Sequence, residues 1–245
     1  MPAEATQPGA CLIVIGNEIL SGRTQDVNLA YIGHRCDELG VPLLEARVVP
    51  DQEAEIIAAV EHCRRRYTYV FTTGGIGPTH DDITSASIAR AFGVALERNP
   101  EAEARLRRSY GDRTPNGAAL RMADIPAGAS LIDNPISGAP GFCLENVYVL
   151  AGVPVIMQAM FEGLAPELNG GAPITSRTID TLLSESRIAA GLAALQAEYP
   201  EVSIGSYPYL RHGRPAGRLV LRGSDPALLE RVEAELRQRL ADLKP

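Results

Sequence analysis

Apolar and polar positions alternate along this chain in a regular order of short greasy runs and helical stripes. Cys11 to Gly16 is an uninterrupted apolar run ending in glycine, the pattern of a buried strand. Leu29, Ile32, Cys36 and Leu39 then recur at intervals of three, four and three, one face of a helix. Asp26 stands at its N-cap position and Gly40 just past its end. Val41–Val49 predicts a second strand, and Asp51 opens a helix through Ile56, Val60 and Cys63. Tyr67–Thr73, β-branched and aromatic, predicts a third strand. Gly74-Gly75-Ile76-Gly77-Pro78 breaks it, and Asp82–Phe92 reads as the next helix. Pro100–Phe142 is less regular, with two short helices followed by a loop rich in Gly and Pro. Val147–Ala151 is another buried strand, broken by Gly152-Val153-Pro154, with Pro154 suited to the first turn of a closing helix.

This alternation predicts an α/β fold, a three-layer arrangement of helices on both faces of a parallel or mixed sheet. Asn169–Pro173 has linker composition. Beyond it the pattern becomes strand (Ile174–Thr181), helix (Glu185–Glu198), strand (Val202–Tyr209), a turn at His212–Pro215, strand (Gly217–Arg222) and helix (Leu229, Val232, Leu236, Leu240). The expected organisation is therefore a disordered tail over 1–10, a first domain over 11–169 and a small βαββα domain over 174–245.

Composition narrows the chemistry. The 245 residues carry a net charge of −7, of which 170–245 contribute +1. That balance argues against general nucleic-acid binding, which requires a basic face. No apolar run approaches a membrane span, and a cytoplasmic protein is expected. The cysteines, Cys11, Cys36, Cys63 and Cys143, are far apart in apolar contexts without metal-ligand spacing, so they read as buried free thiols. Lys244 is the only lysine among 23 Lys and Arg residues. A Schiff-base lysine, a P-loop lysine and a lysine base are thereby removed.

Ligands of open α/β sheets bind beyond the carboxyl ends of the strands. Gly16-Asn17-Glu18, Pro50-Asp51, Thr73–Asp82 and Gly152–Pro154 fall there. Gly75 and Gly77 amides, with the following helix N-terminus, suit a phosphate; a tight turn is the plain alternative. Either Asp81 or Asp82 could cap the next helix. A second carboxylate beside a phosphate calls for a cation with oxygen ligands, Mg²⁺ or Mn²⁺. His80 suits an acid/base, a ligand or a solvated loop residue. Glu18 is a cleft carboxylate. Asp51 is both a cap and a cleft candidate.

The ordered motifs Val14–Gly22, Gln25–Asn28, Val49–Asp51 and Thr73–Thr84 resemble the MoaB/Mog-type molybdopterin-binding domain. Arg113–Asn116 and Gly138–Gly141 add to the likeness. Within that superfamily the chain resembles the N-terminal branch of the competence/damage-inducible protein CinA. Gly77–Asp82, including His80, and Gly205–Pro208 bring it closer to the molybdopterin-binding-like domain of eukaryotic FAD synthases. The tail resembles the KH-like domain that follows in CinA, but lacks the Gly-x-x-Gly loop of an RNA-binding KH domain. Ala151 stands where the family usually has Pro, and neither the deamidase domain of CinA nor the FAD synthase catalytic domain is in the sequence.

The resemblance implies a divalent-cation-dependent pyrophosphatase (Mg²⁺, Mn²⁺ or Co²⁺) acting on FAD or ADP-ribose and releasing AMP. The alternatives are a molybdopterin adenylyltransferase-type protein or a non-catalytic nucleotide-binding module. It implies catalytic roles for Asp51 and Asp82; the reading of the cleft residues adds His80, as an alternative to Asp51 in orienting the attacking water, and Glu18 with Asp81 or Asp82 as metal ligands. Ligand contacts are expected from Gly16, Asn28, Thr73, Gly74, Gly75, Gly77, Pro78, Asn134, Gly138 and Gly152. The implied partners are a nucleotide-type small molecule and a second copy of the chain; no membrane and no nucleic acid are expected.

Overall fold

The computed structural model describes residues 8–211 and 213–243. Most of the expected tail, His212 and Lys244 lie outside them. The described chain divides into two compact units, 1–171 and 172–245.

The first unit runs β1 (Ala10–Ile15), α1 (Asn17–Leu20), α2 (Asn28–Glu38), β2 (Leu43–Val49), α3 (Glu53–Arg64), β3 (Tyr69–Thr73), α4 (Thr84–Phe92), β4 (Leu96–Arg98), α5 (Pro100–Tyr110), α6 (Gly117–Leu120), β5 (Asp124–Pro126), β6 (Ser130–Ile132), β7 (Gly141–Leu144), β8 (Val147–Leu150) and α7 (Pro154–Leu164). Ala10, expected in the tail, is fully buried in β1 and aligned with Tyr69 of β3.

The six-stranded sheet has the order β2-β1-β3-β8-β7-β6. β2, β1, β3 and β8 are parallel; β7 pairs antiparallel with β8 and β6 antiparallel with β7, so β7 alone runs against the rest. The sheet is thus mixed. A two-residue turn, Glu145-Asn146, reverses the chain between β7 and β8, with Glu145 at a left-handed φ of 52°. Asn146 locks that turn by donating to the carbonyls of Arg64 and Tyr67 at 3.0 and 2.8 Å.

β1 is buried along its whole length because the sheet is covered on both faces. Cys11, Ile13 and Ile15 join Ile56 and Val60 of α3 and Ile88 of α4 in one core layer. Leu12 and Val14 join Ile32 of α2, Phe71, and Met157 and Phe161 of α7 in the other. The sequence separation of the cysteines is misleading here. Cys11 and Cys63 are brought to an Sγ–Sγ distance of 3.0 Å in the first layer, and Cys143 is half-buried rather than buried.

The second unit comprises β9 (Thr175–Thr181), α8 (Glu185–Glu198), β10 (Ser203–Arg211), β11 (Arg214–Gly223) and α9 (Pro226–Asp242). Its antiparallel sheet has the order β10-β11-β9. Ile179, Leu195, Leu219, Leu221, Val232 and Leu236 form its own core. Arg218, on the arginine-bearing hairpin, is taken up by Asp180 at 3.1 Å. No helix among the described residues is long and apolar enough to cross a membrane.

Candidate functional site

α2 packs on one face of the sheet and α3 on the other, so the chain changes face around β1. A crevice opens beyond the carboxyl ends of such strands. Here it is a cavity of about 530 Å³. Ile15, Asp51, Gly74 and Ala151, each at or just past a strand's carboxyl end, contribute to its wall.

The turn from β3 to α4 is shaped by glycine. Gly74 and Gly75 have φ of +100° and +68°. A Cβ on Gly74 would lie 2.2 Å from the Ile15 carbonyl oxygen, and one on Gly75 would lie 2.2 Å from Thr84 Oγ1. Gly74 N–H donates to Leu150 O at 3.3 Å. The next three amides, of Gly75, Ile76 and Gly77, have no partner among the described residues, and all three residues line the cavity. Consecutive free N–H groups beside a helix N-terminus form a concave anion site. α7 also begins at the cavity, through Val153 and Pro154. Fully buried Thr84 donates its hydroxyl to Gly74 O and its N–H to Gly75 O, both at 3.0 Å.

The carboxylates lie next to this turn. Neither Asp81 nor Asp82 caps α4; Ile83 occupies that position without a side-chain hydrogen bond. Asp82 instead folds back to accept from Thr79 N–H at 2.7 Å. The Thr79 hydroxyl lies 2.5 Å from Asp81 Oδ1 and 2.6 Å from Asp82 Oδ2. One hydroxyl proton therefore faces two carboxylates. That hydrogen bond, with the backbone amide of Asp81 itself and the neighbouring His80, holds the Asp81 carboxyl below the usual range. Asp51 Oδ2 accepts from Asn17 N–H at 2.8 Å, so from the end of the neighbouring strand β2 it serves the first residue of α1 rather than capping α3.

Asp51, Asp82, Asp81, Glu18, Gly74, Gly75, Gly77, Pro78, Asn134 and Gly152 all line the cavity. The other expected residues do not. His80 has a side chain 96% exposed and stands off the cavity wall. Thr73 is buried within β3. Asn28 is also buried and donates to Gly152 O at 2.9 Å, leaving its Oδ1 without a partner. It ties down the loop before α7 instead of facing the cavity. Gly16 lies beneath the Glu18 carboxylate, which a Cβ there would approach to 2.6 Å. Gly138 packs on Ser109. Asn134 reaches the cavity but spends its amide on Ser137, Ala139 and the Ile136 amide.

Glu18, Asp81 and Asp82 are not gathered into one ligating group. Among the described residues no three His, Cys, Asp or Glu converge well enough to hold a metal ion. Glu18 turns onto Gly16 while Asp81 and Asp82 turn onto Thr79. The apolar wall, from Ile76, Met122, Val153 and Ile156, was not anticipated from the sequence, nor was Arg121, which donates to Pro78 O at 2.6 Å. Only folding brings these separate segments together.

Residues 11–170 match the family described as "Probable molybdopterin binding domain", and residues 173–244 match the "FAD synthase, middle domain". A protein of Aeropyrum pernix is 35% identical over 88% of this chain and 83% of its own length. A CinA-like protein of Parasynechococcus marenigrum is 35% identical over 96% of this chain; the chain spans only 59% of that relative's length. Among solved structures, the protein CinA from Thermoplasma acidophilum, described as of unknown function, is 33% identical. It superposes with a TM-score of 0.62, covering 66% of this chain and 98% of that one.

Proposed function

Because the chain belongs to the CinA-type branch of the molybdopterin-binding-domain family, we propose that its cavity hydrolyses the pyrophosphate of a dinucleotide or nucleotide sugar, FAD or ADP-ribose, and releases AMP. The observation that carries this reading is the run of three unpartnered amides, Gly75 to Gly77, facing a cavity that also holds Asp51, Asp81 and Asp82. The amides bind one phosphate. The aliphatic wall covers the adjoining nucleoside.

Carboxylates beside bound phosphate repel it unless a cation intervenes. The donor type fits a hard divalent ion: Asp81 and Asp82 place two carboxylates side by side, both reached by the Thr79 hydroxyl, and these two would hold it. Magnesium is characteristically held by one or two carboxylates, with substrate phosphates and water completing its shell. Such an ion, when bound, supplies charge neutralisation at the pyrophosphate. Asp51, with Oδ2 fixed by Asn17, has Oδ1 to orient the attacking water and accept its proton. The water oxygen bonds to one phosphorus, the phosphorus bond to the bridging oxygen breaks, and that oxygen leaves on the other phosphate. FAD gives AMP and FMN; ADP-ribose gives AMP and ribose 5-phosphate. His80 has no place in this scheme.

The test incubates the full chain with FAD or ADP-ribose, with Mg²⁺, Mn²⁺ or Co²⁺ or a chelator, and follows AMP by chromatography. Cation-dependent AMP release is expected, falling about a hundredfold or more in Asp82→Asn, a change that keeps an oxygen to accept from Thr79. No AMP from either compound with any cation overturns hydrolysis. The molybdopterin-binding description of the first unit favours a second reading, an adenylyl transfer to molybdopterin, tested by supplying molybdopterin with ATP.

A further inference from the structure

Thr84 belongs to helix α4, is fully buried and does not line the cavity. Both of its hydrogen bonds nevertheless end on the two left-handed glycines that begin the cavity wall. The peptides of this chain are trans among the described residues. In a trans peptide the C=O of one residue and the N–H of the next point in opposite directions. Holding Gly74 O on the Thr84 hydroxyl therefore turns the Gly75 N–H away from α4. Holding Gly75 O on the Thr84 amide does the same for the Ile76 N–H. Those are two of the three unpartnered donors.

We infer that Thr84 is a positioning residue whose hydroxyl aims the Gly75 amide, and whose own N–H aims the Ile76 amide, at an anion in the cavity. This rests on the reading that the cavity takes a phosphate-bearing ligand. The tether matters because the segment is glycine. With no side chain at Gly74 or Gly75, rotating their shared peptide meets little backbone resistance. Once the hydroxyl is gone, the Gly74 carbonyl is no longer held, and rotation swings an oxygen toward the place where an N–H is required. The Thr84 amide alone fixes only the second of the two peptides.

The experiment compares Thr84→Val, which keeps the shape and loses the donor, with Thr84→Ser, which keeps the donor. AMP is the probe, titrated calorimetrically and against ¹⁵N-labelled full-length chain, below the melting temperature of each variant. In the wild type the Gly75 and Ile76 amide resonances shift on AMP addition. Thr84→Val weakens AMP by about tenfold or more, the size of losing one charge-assisted hydrogen bond, and abolishes the Gly75 shift. Thr84→Ser stays within about twofold of wild type. A Thr84→Val protein that melts earlier but binds AMP as tightly, with both amides still shifting, overturns the inference and leaves the ligand reading standing. A wild type that binds neither AMP nor ADP-ribose removes the ligand reading, and this inference with it.

Discussion

Thr79 arbitrates between two carboxylates with a single proton. Its hydroxyl is within 2.6 Å of both Asp81 and Asp82, and its hydrogen bond is the main reason the Asp81 carboxyl is held low. A group whose pKa is depressed in the folded state adds stability above its unfolded value and loses it as pH falls through the folded value. Asp81 is exposed, so its influence on global stability is slight, but its own titration is a direct probe. In Thr79→Val the Asp81 carboxyl titrates higher, toward the ordinary carboxylate value of about 3.9. Side-chain ¹³C shifts followed against pH measure this. An unchanged Asp81 midpoint would show that the threonine is not what lowers it. The presence of Asp81-Asp82 was legible in the sequence. Their engagement with Thr79 was not, because capping and back-folding use the same residue types at nearly the same spacing.

At the scale of elements, the β3–α4 turn shows how backbone conformation makes a site. Gly74 combines a left-handed φ with a carbonyl 2.2 Å from where its Cβ would stand, and that carbonyl belongs to the neighbouring strand β1. Gly74→Ala should therefore cost at least about 2 kcal/mol, from strain plus overpacking. Gly22→Ala, also left-handed but in open space, should cost no more than about 1 kcal/mol. Denaturant unfolding of both variants makes the comparison; equal costs would mean that the contact with β1 is unimportant. Helix α8 matches its expected bounds, Glu185–Glu198, because its apolar spacing is internal to one segment. The stretch expected as a loop instead holds β5, β6 and β7. Those strands are three or four residues long, too short for alternation to declare itself, and they exist through pairing with each other, with β4 and with β8.

At the scale of the molecule, two cores are separate in sequence. Every buried residue of the second, from Ile179 to Leu240, lies in unit 172–245. A unit that buries its own apolar face can fold alone. The fragment 172–245 is expected to show helical and strand circular dichroism and a cooperative melt; a featureless spectrum would refute this autonomy. The charge also divides, with the net negative charge carried before residue 170. The strongly acidic first unit makes the free amides at Gly75–Gly77 the more significant, since among the described residues no arginine or histidine lines the cavity to offer an anion a positive edge.

The sequence alone determined the order of most elements, the division into two units, the family and the glycine turn. All of these are written in local spacing, where a period of 3.6, an apolar run or a Gly-Gly step carries its own geometry. Tertiary structure decided the rest. It reversed β7 within the sheet, drew Cys63 onto Cys11 across 52 positions, gave Asp51 to α1 instead of α3, left His80 in solvent and set Thr84 behind the glycines. Each of these depends on which distant segment arrives alongside, and that is settled by burying two faces of one sheet at once, not by any neighbouring residue.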